Sequence, residues 1–72
     1  MKCLIIDRIE APLSLESAEA KMIVQRLYEL GLYPGIEVKI IRNLSLGAVT
    51  VIEYGHTRLA LNQEEMACLH GH

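Results

Sequence analysis

Apolar positions change their spacing along this chain, and the changes divide it into strands around one long helix. Lys2 to Ile9 is apolar and β-branched enough for a first strand, which Ala11-Pro12 ends because proline cannot donate to a sheet ladder. Ala20, Ile23, Val24, Leu27 and Leu30 then recur at helical spacing, with Lys21, Gln25, Arg26 and Glu29 filling much of the rest. One face of that helix is therefore buried. Ser14 or Ser17 is expected to cap it, with Glu16 and Glu19 near its positive end.

The next turn of chain is written in residue types that permit little else. Gly31 suits the left-handed position that ends a helix, and Leu32 just beyond it can fold back onto Leu27, the apolar contact of a Schellman ending. Pro34-Gly35 places a fixed φ at the second position of a turn and a permissive one at the third, as a type II turn requires. A strand follows at once.

Charge and turn chemistry set the register of the strands that come after. With Gly55-His56 as the central pair of a type II′ hairpin, Glu53 falls opposite Arg58 and Ile52 opposite Leu59. With residues 44–48 as a five-residue loop, Lys39 falls opposite Glu53 and Ile40 opposite Ile52, so that Lys39, Glu53 and Arg58 form one row of alternating charge. Strands alternate faces, which puts Val38, Ile40, Ile52, Tyr54, Leu59 and Leu61 inside and leaves Ile41, Val49, Val51 and Ala60 on the charged face. Asn62 and Glu65 make a capping box that opens one helical turn, and Cys68 to His70 can form a last strand against the first. Pattern alone gives a small α+β domain or barrel.

Composition narrows the function classes. Seventy-two residues make a single domain over 1–72, 51% hydrophobic and without Trp or Phe, so the core is aliphatic and aromatic platforms for bases are scarce. A net charge of −2 without a Lys/Arg cluster argues against nucleic acid, whose affinity rests on phosphate contacts. Apolar runs such as Leu4-Ile5-Ile6 fall far short of the roughly 20 residues of a membrane span, so direct membrane insertion is not expected. Cys3 and Cys68 form no Cys-x-x-Cys pair, which suits reduced thiols and a cytoplasmic location. No Ser/His/Asp, Cys/His or paired-carboxylate spacing is present, so no catalytic residues and no enzyme activity are expected.

Leu30-Gly31-Leu32, Pro34-Gly35, Val38 to Arg42, Leu46-Gly47, Val51 to Tyr54 and Leu59-Ala60-Leu61 together resemble the ferrous iron transport protein A (FeoA) family in order and spacing. The loop from Leu44 to Val49 departs from the family pattern by lacking its prolines and acid, and Asn62 stands where a basic residue is common. The resemblance implies a small SH3-like β-barrel, with one long helix capping the barrel and a short second helical turn. It also implies a non-enzymatic accessory protein of ferrous iron uptake, whose partner is the cytoplasmic part of the GTP-binding membrane permease FeoB. Self-association is a second expectation. An alternative is a metal-dependent regulatory module acting in trans, related to the C-terminal domain of iron-dependent repressors, and another is a direct metal-binding protein.

Two groups of residues are candidates for a site. Cys3, His56, Cys68, His70 and His72 are weak candidates to ligate ferrous iron or another divalent transition metal, although no cofactor is required, and pairing of the last strand with the first would bring Cys3 and Cys68 into one neighbourhood. Buried apolar cysteines and a hairpin or terminal histidine are the plainer reading. Ile41, Leu44, Leu46, Val49 and Val51, extended by Tyr33, are either covered core or an exposed partner-binding surface, because apolar side chains in a turn-forming loop need cover or use.

Overall fold

The computed structural model describes residues 2–72. β1 (Lys2–Ile9) leads to α1 (Ser17–Glu29), followed by β2 (Glu37–Leu44), a 3-10 turn (Ser45–Gly47), β3 (Val49–Tyr54), β4 (Thr57–Asn62), α2 (Gln63–Ala67) and β5 (Leu69–Gly71). The strands lie in the order β4-β3-β2-β1-β5, and every neighbouring pair is antiparallel. β1 is shared along its length: Lys2 to Ile5 pair with β2, and Ile6 to Ile9 pair with β5. That division curls the sheet into a small SH3-like barrel, with α1 packed on its apolar interior.

The interior is built as the alternation predicts. Val38, Ile52 and Leu61 are fully buried with Ile6, Leu27, Leu32 and Cys68, while Ile40, Tyr54 and Leu59 pack against them. The helix stop is a complete Schellman motif: Leu32 N–H donates to the Leu27 carbonyl and Gly31 N–H to that of Tyr28, with Gly31 at φ 93° and both leucines buried. The Tyr54 hydroxyl donates to the Leu30 carbonyl, one of the groups that a helix end leaves without an internal partner. Gly35 sits at φ 95°, and Ile36 N–H closes the turn onto the Tyr33 carbonyl at 3.1 Å. Gly35 N–H, which the turn leaves free, reaches the Ile6 carbonyl at 2.7 Å and fastens the turn to β1.

Register follows the charge row as far as Ile40. Lys39 faces Glu53, Ile40 faces Ile52 and Glu53 faces Arg58, whose guanidinium closes an ion pair with Glu53 at 2.8 Å. Past that point a β-bulge interrupts the β2–β3 ladder: Arg42, not Ile41, is next in register, opposite Val51. Ile41 is the extra residue. The loop is accordingly four residues, 45–48, and Leu44 pairs with Val49 as the end of the ladder instead of entering the loop. A bulge needs no glycine or proline to mark it, so the β-branched run Val38 to Ile41 hides it. At the other hairpin only Gly55 takes a positive φ, 57°, as a type II′ turn requires.

Two ends differ from expectation. α1 begins after Glu16, which offers no side-chain cap, and neither Ser14 nor Ser17 serves as N-cap; Ser17 is the first helical residue. β5 runs one residue later than expected, because Cys68 still belongs to the end of α2, its N–H bound to the Glu65 carbonyl.

Candidate functional site

The 3-10 turn between β2 and β3 holds the positive-φ residues other than glycine found among the described residues. Ser45, Leu46 and Gly47 take φ values of 52°, 57° and 90° in succession, a left-handed run of which only the last is a glycine. A side chain in that region brings Cβ against the carbonyl and costs about 1–2 kcal/mol per residue. Ala48 N–H to the Ser45 carbonyl at 3.1 Å closes the turn, Thr50 donates its hydroxyl to the Asn43 side chain at 2.9 Å across its base, and Gln63 of α2 reaches the Gly47 carbonyl at 3.4 Å. This scaffold carries Leu46 at its tip with the side chain wholly in solvent, and Leu44 beside it 42% exposed. Ile41 and Val49 are half-buried behind them.

The other two residues of the expected surface do not join it. Val51 is only 7% exposed, held between Arg42 and Ala60 on the neighbouring strands, so its side chain has little to offer a partner. Tyr33 is exposed and lies against Tyr28 with ring centroids 5.7 Å apart, but it precedes β2 whereas the loop follows it. The length of an eight-residue strand, about 25 Å, separates the two. The surface reduces to Leu44 and Leu46, with Ile41 and Val49 at its base.

The candidate metal ligands are scattered. β5 meets β1 at Ile6 to Ile9, and the Cys68 carbonyl accepts from Glu10 N–H, whereas Cys3 pairs with Lys39; seven residue steps of extended chain, about 20 Å, separate Cys3 from Glu10. The expected meeting of Cys3 and Cys68 therefore does not occur. Cys68 is buried and its thiol donates to the Glu64 carbonyl at 3.3 Å; burial first, then the nearby charges of Glu65 and Glu64, push its pKa up and disfavour the thiolate a metal needs. His56 is exposed in the hairpin turn, His70 Nε2 is 3.0 Å from the Glu10 carbonyl, and His72 Nδ1 is 3.1 Å from Asp7. Among the described residues no three His, Cys, Asp or Glu side chains converge.

Sequence reasoning missed the seam between the helices. Glu65, 5% exposed, completes the expected capping box with Asn62 and also takes the Arg26 guanidinium at 3.0 Å, joining α2 to α1. The capping pattern signals the first role, but no local spacing signals a partner thirty-nine positions away. A cleft of about 470 Å³ opens along this seam, lined by Glu16, Glu19, Met22 and Glu64 among others. Across it Glu64 raises the pKa of Glu19, through a carboxyl–carboxylate hydrogen bond and then through its charge. A second, apolar cleft lies between Ile9 and Ala11 and the α1 face carrying Ala20 and Val24.

No described helix is long and apolar enough to cross a membrane. A search of curated proteins gives no match. Among solved structures, the solution NMR structure of a Pseudomonas aeruginosa protein is similar, with a TM-score of 0.67 at 26% identity over 97% of this chain and 85% of that one. That likeness runs nearly end to end, and a scan of family models agrees in extent by matching the FeoA domain across residues 3–70. With the helix stop, the Pro-Gly turn and the three-strand meander all inside that match, the chain belongs to the FeoA domain family.

Proposed function

We propose that this protein is a non-enzymatic accessory of ferrous iron uptake, and that it acts by docking its 45–48 loop onto the cytoplasmic part of the GTP-binding permease FeoB. Membership of the FeoA family supports the accessory role in iron transport. One observation carries the docking surface: Leu46 is held wholly exposed on a left-handed backbone that disfavours any side chain. Apolar surface in water is unfavourable by about 25 cal/mol per Å², so the loop carries two penalties that the fold does not need. A partner that covers Leu46 recovers the burial penalty and so offsets the backbone one. Iron in this reading is cargo of the permease, and the barrel works without a resident metal.

The test is a titration of the permease's cytoplasmic domain with wild type and with Leu46→Asp. The variant is expected to bind far more weakly while its unfolding free energy stays within about 0.5 kcal/mol of wild type, as for other surface substitutions. Unchanged binding removes the loop from the interface, and a large loss of stability makes Leu46 part of the fold.

A further inference from the structure

We infer that β4 is a self-pairing edge: two copies of this chain join antiparallel through β4, about a two-fold axis at Leu59, into one continuous sheet. β4 ends the strand order, and nothing pairs with its outer side among the described residues. Natural sheets guard such an edge with prolines, bulges, brevity or free charge. Here the other edge strand, β5, is three residues long and β2 carries the bulge, but β4 runs six residues in unbroken register and without proline. Its one charge, Arg58, is held by Glu53.

Which peptide groups face outward follows from the hairpin. Tyr54 and Thr57 pair on either side of the two-residue Gly55-His56 turn, a geometry in which the flanking pair is the hydrogen-bonded one, so the antiparallel alternation turns Leu59 and Leu61 inward to β3. The N–H and C=O groups of Arg58 and Ala60 are left pointing away from the sheet. Asn62 is outward too, but its N–H is taken by the Glu65 carboxylate at 2.9 Å and its carbonyl opens α2.

Only one two-fold register uses what remains. An axis at Ala60 sets Arg58 against the partner's Asn62 and demands the N–H that the capping box holds. An axis at Arg58 puts two guanidiniums face to face, which cross-strand pairing disfavours. With the axis at Leu59, Arg58 of each copy meets the partner's Ala60, and every outward group of both residues finds a mate. The small alanine leaves room for the Arg58–Glu53 ion pair on the outer face. On the inner face Leu59, half-buried in the monomer, meets its own copy at the narrow spacing of a non-hydrogen-bonded pair. This association uses neither the 45–48 loop nor its proposed partner.

Sedimentation of the full chain at concentrations up to about 1 mM tests it, with Ala60→Lys and Ala60→Glu as matched variants. Both alter one exposed side chain and should keep the wild-type unfolding temperature. Ala60→Lys sets a second cation against the partner's Arg58 at two symmetric places and should weaken dimerisation about tenfold or more; Ala60→Glu offers a carboxylate there and should dimerise at least as tightly as wild type. Amide exchange gives the matching signature. Leu59 and Leu61 should be protected at every concentration, and Arg58 and Ala60 only as dimer forms. A chain monomeric throughout the range, equal effects of the two substitutions, a dimer that Leu46→Asp dissociates instead, or protection of Arg58 and Ala60 at high dilution each overturns the inference.

Discussion

The two ends of β2 are both tight reversals that rely on positive φ, yet they are furnished in opposite ways. Before the strand, Gly31 and Gly35 occupy the left-handed positions, and the flanking Leu27 and Leu32 are wholly buried. After it, Ser45 and Leu46 also take positive φ, 52° and 57°, without being glycines, and the leucine projects into water. The first reversal has each cost met inside the molecule: Tyr54 takes a helix carbonyl and the Ile6 carbonyl takes Gly35 N–H. The second leaves its costs standing. Local strain that a fold does not need clusters at functional sites, and the proposed docking of this loop rests on that contrast.

The sharpest break of this comparison is at Leu27. Leu27→Ala should lower stability by about 2–5 kcal/mol, because the side chain is fully buried and Leu32, its Schellman partner, closes over it. Urea denaturation measures the loss. An effect as small as a surface substitution would mean that the helix stop is not the fastening the contrast requires.

Gly35→Val isolates the backbone part of the same region. Beyond the neighbouring residues, no atom lies within 4 Å of where a Cβ would stand, so the expected loss of about 1–3 kcal/mol is mainly conformational. Gly35→Asn, which tolerates the left-handed region, should lose visibly less. Equal losses in thermal unfolding would point to a cause other than φ.

The legible part of this chain is the part in which local chemistry fixes local geometry. Gly31, Pro34-Gly35, Gly55 and the Asn62/Glu65 box each encode their turn or cap within a few residues, and the charge row carries the register from one hairpin to the next as far as Ile40. What escaped is non-local or unmarked. The Ile41 bulge sits in a run that reads as plain strand, the Arg26–Glu65 pair joins two helices by side-chain reach, and Cys3 and Cys68 part because β5 meets only the second half of β1. For the candidate site, the sequence marks Leu44 and Leu46 as out of place in a loop, but only strand length shows that Tyr33 lies at the far end, and only the structure shows that Val51, between Arg42 and Ala60, is buried.

Leu46→Asn sharpens the contrast from the other side. Asparagine accepts φ near 57° more readily than leucine and leaves no apolar side chain in water, so the variant should be as stable as wild type or more so, by up to about 1 kcal/mol. Its binding to the permease should fall together with that of Leu46→Asp. Stability rising as binding falls is the signature of a residue retained for an outside contact, and the pair of measurements is a melting curve and a binding isotherm on one preparation. A destabilised Leu46→Asn would place the leucine among the residues that hold the fold.

The smallest effect is expected at the seam of α1 and α2, where the well-satisfied half of the molecule carries a conflict of its own. Arg26 and Glu65 attract there, but the Glu19 carboxyl is held above its ordinary value of 4.5 by hydrogen bonding to Glu64 and then by that group's charge. A carboxyl whose pKa is raised in the folded state binds its proton more tightly there than in the unfolded chain. Its contribution to stability is complete below the unfolded value and is lost as pH rises through the folded one. Denaturation midpoints of wild type should therefore decline slightly, relative to those of Glu19→Gln, across the pH range just above 4.5 and then hold a constant difference. Both carboxyls face water, so added salt should shrink that difference. A gap between the two proteins that is already full below pH 4.5, or that salt leaves untouched, would assign it to helix propensity at position 19 and not to the shared proton.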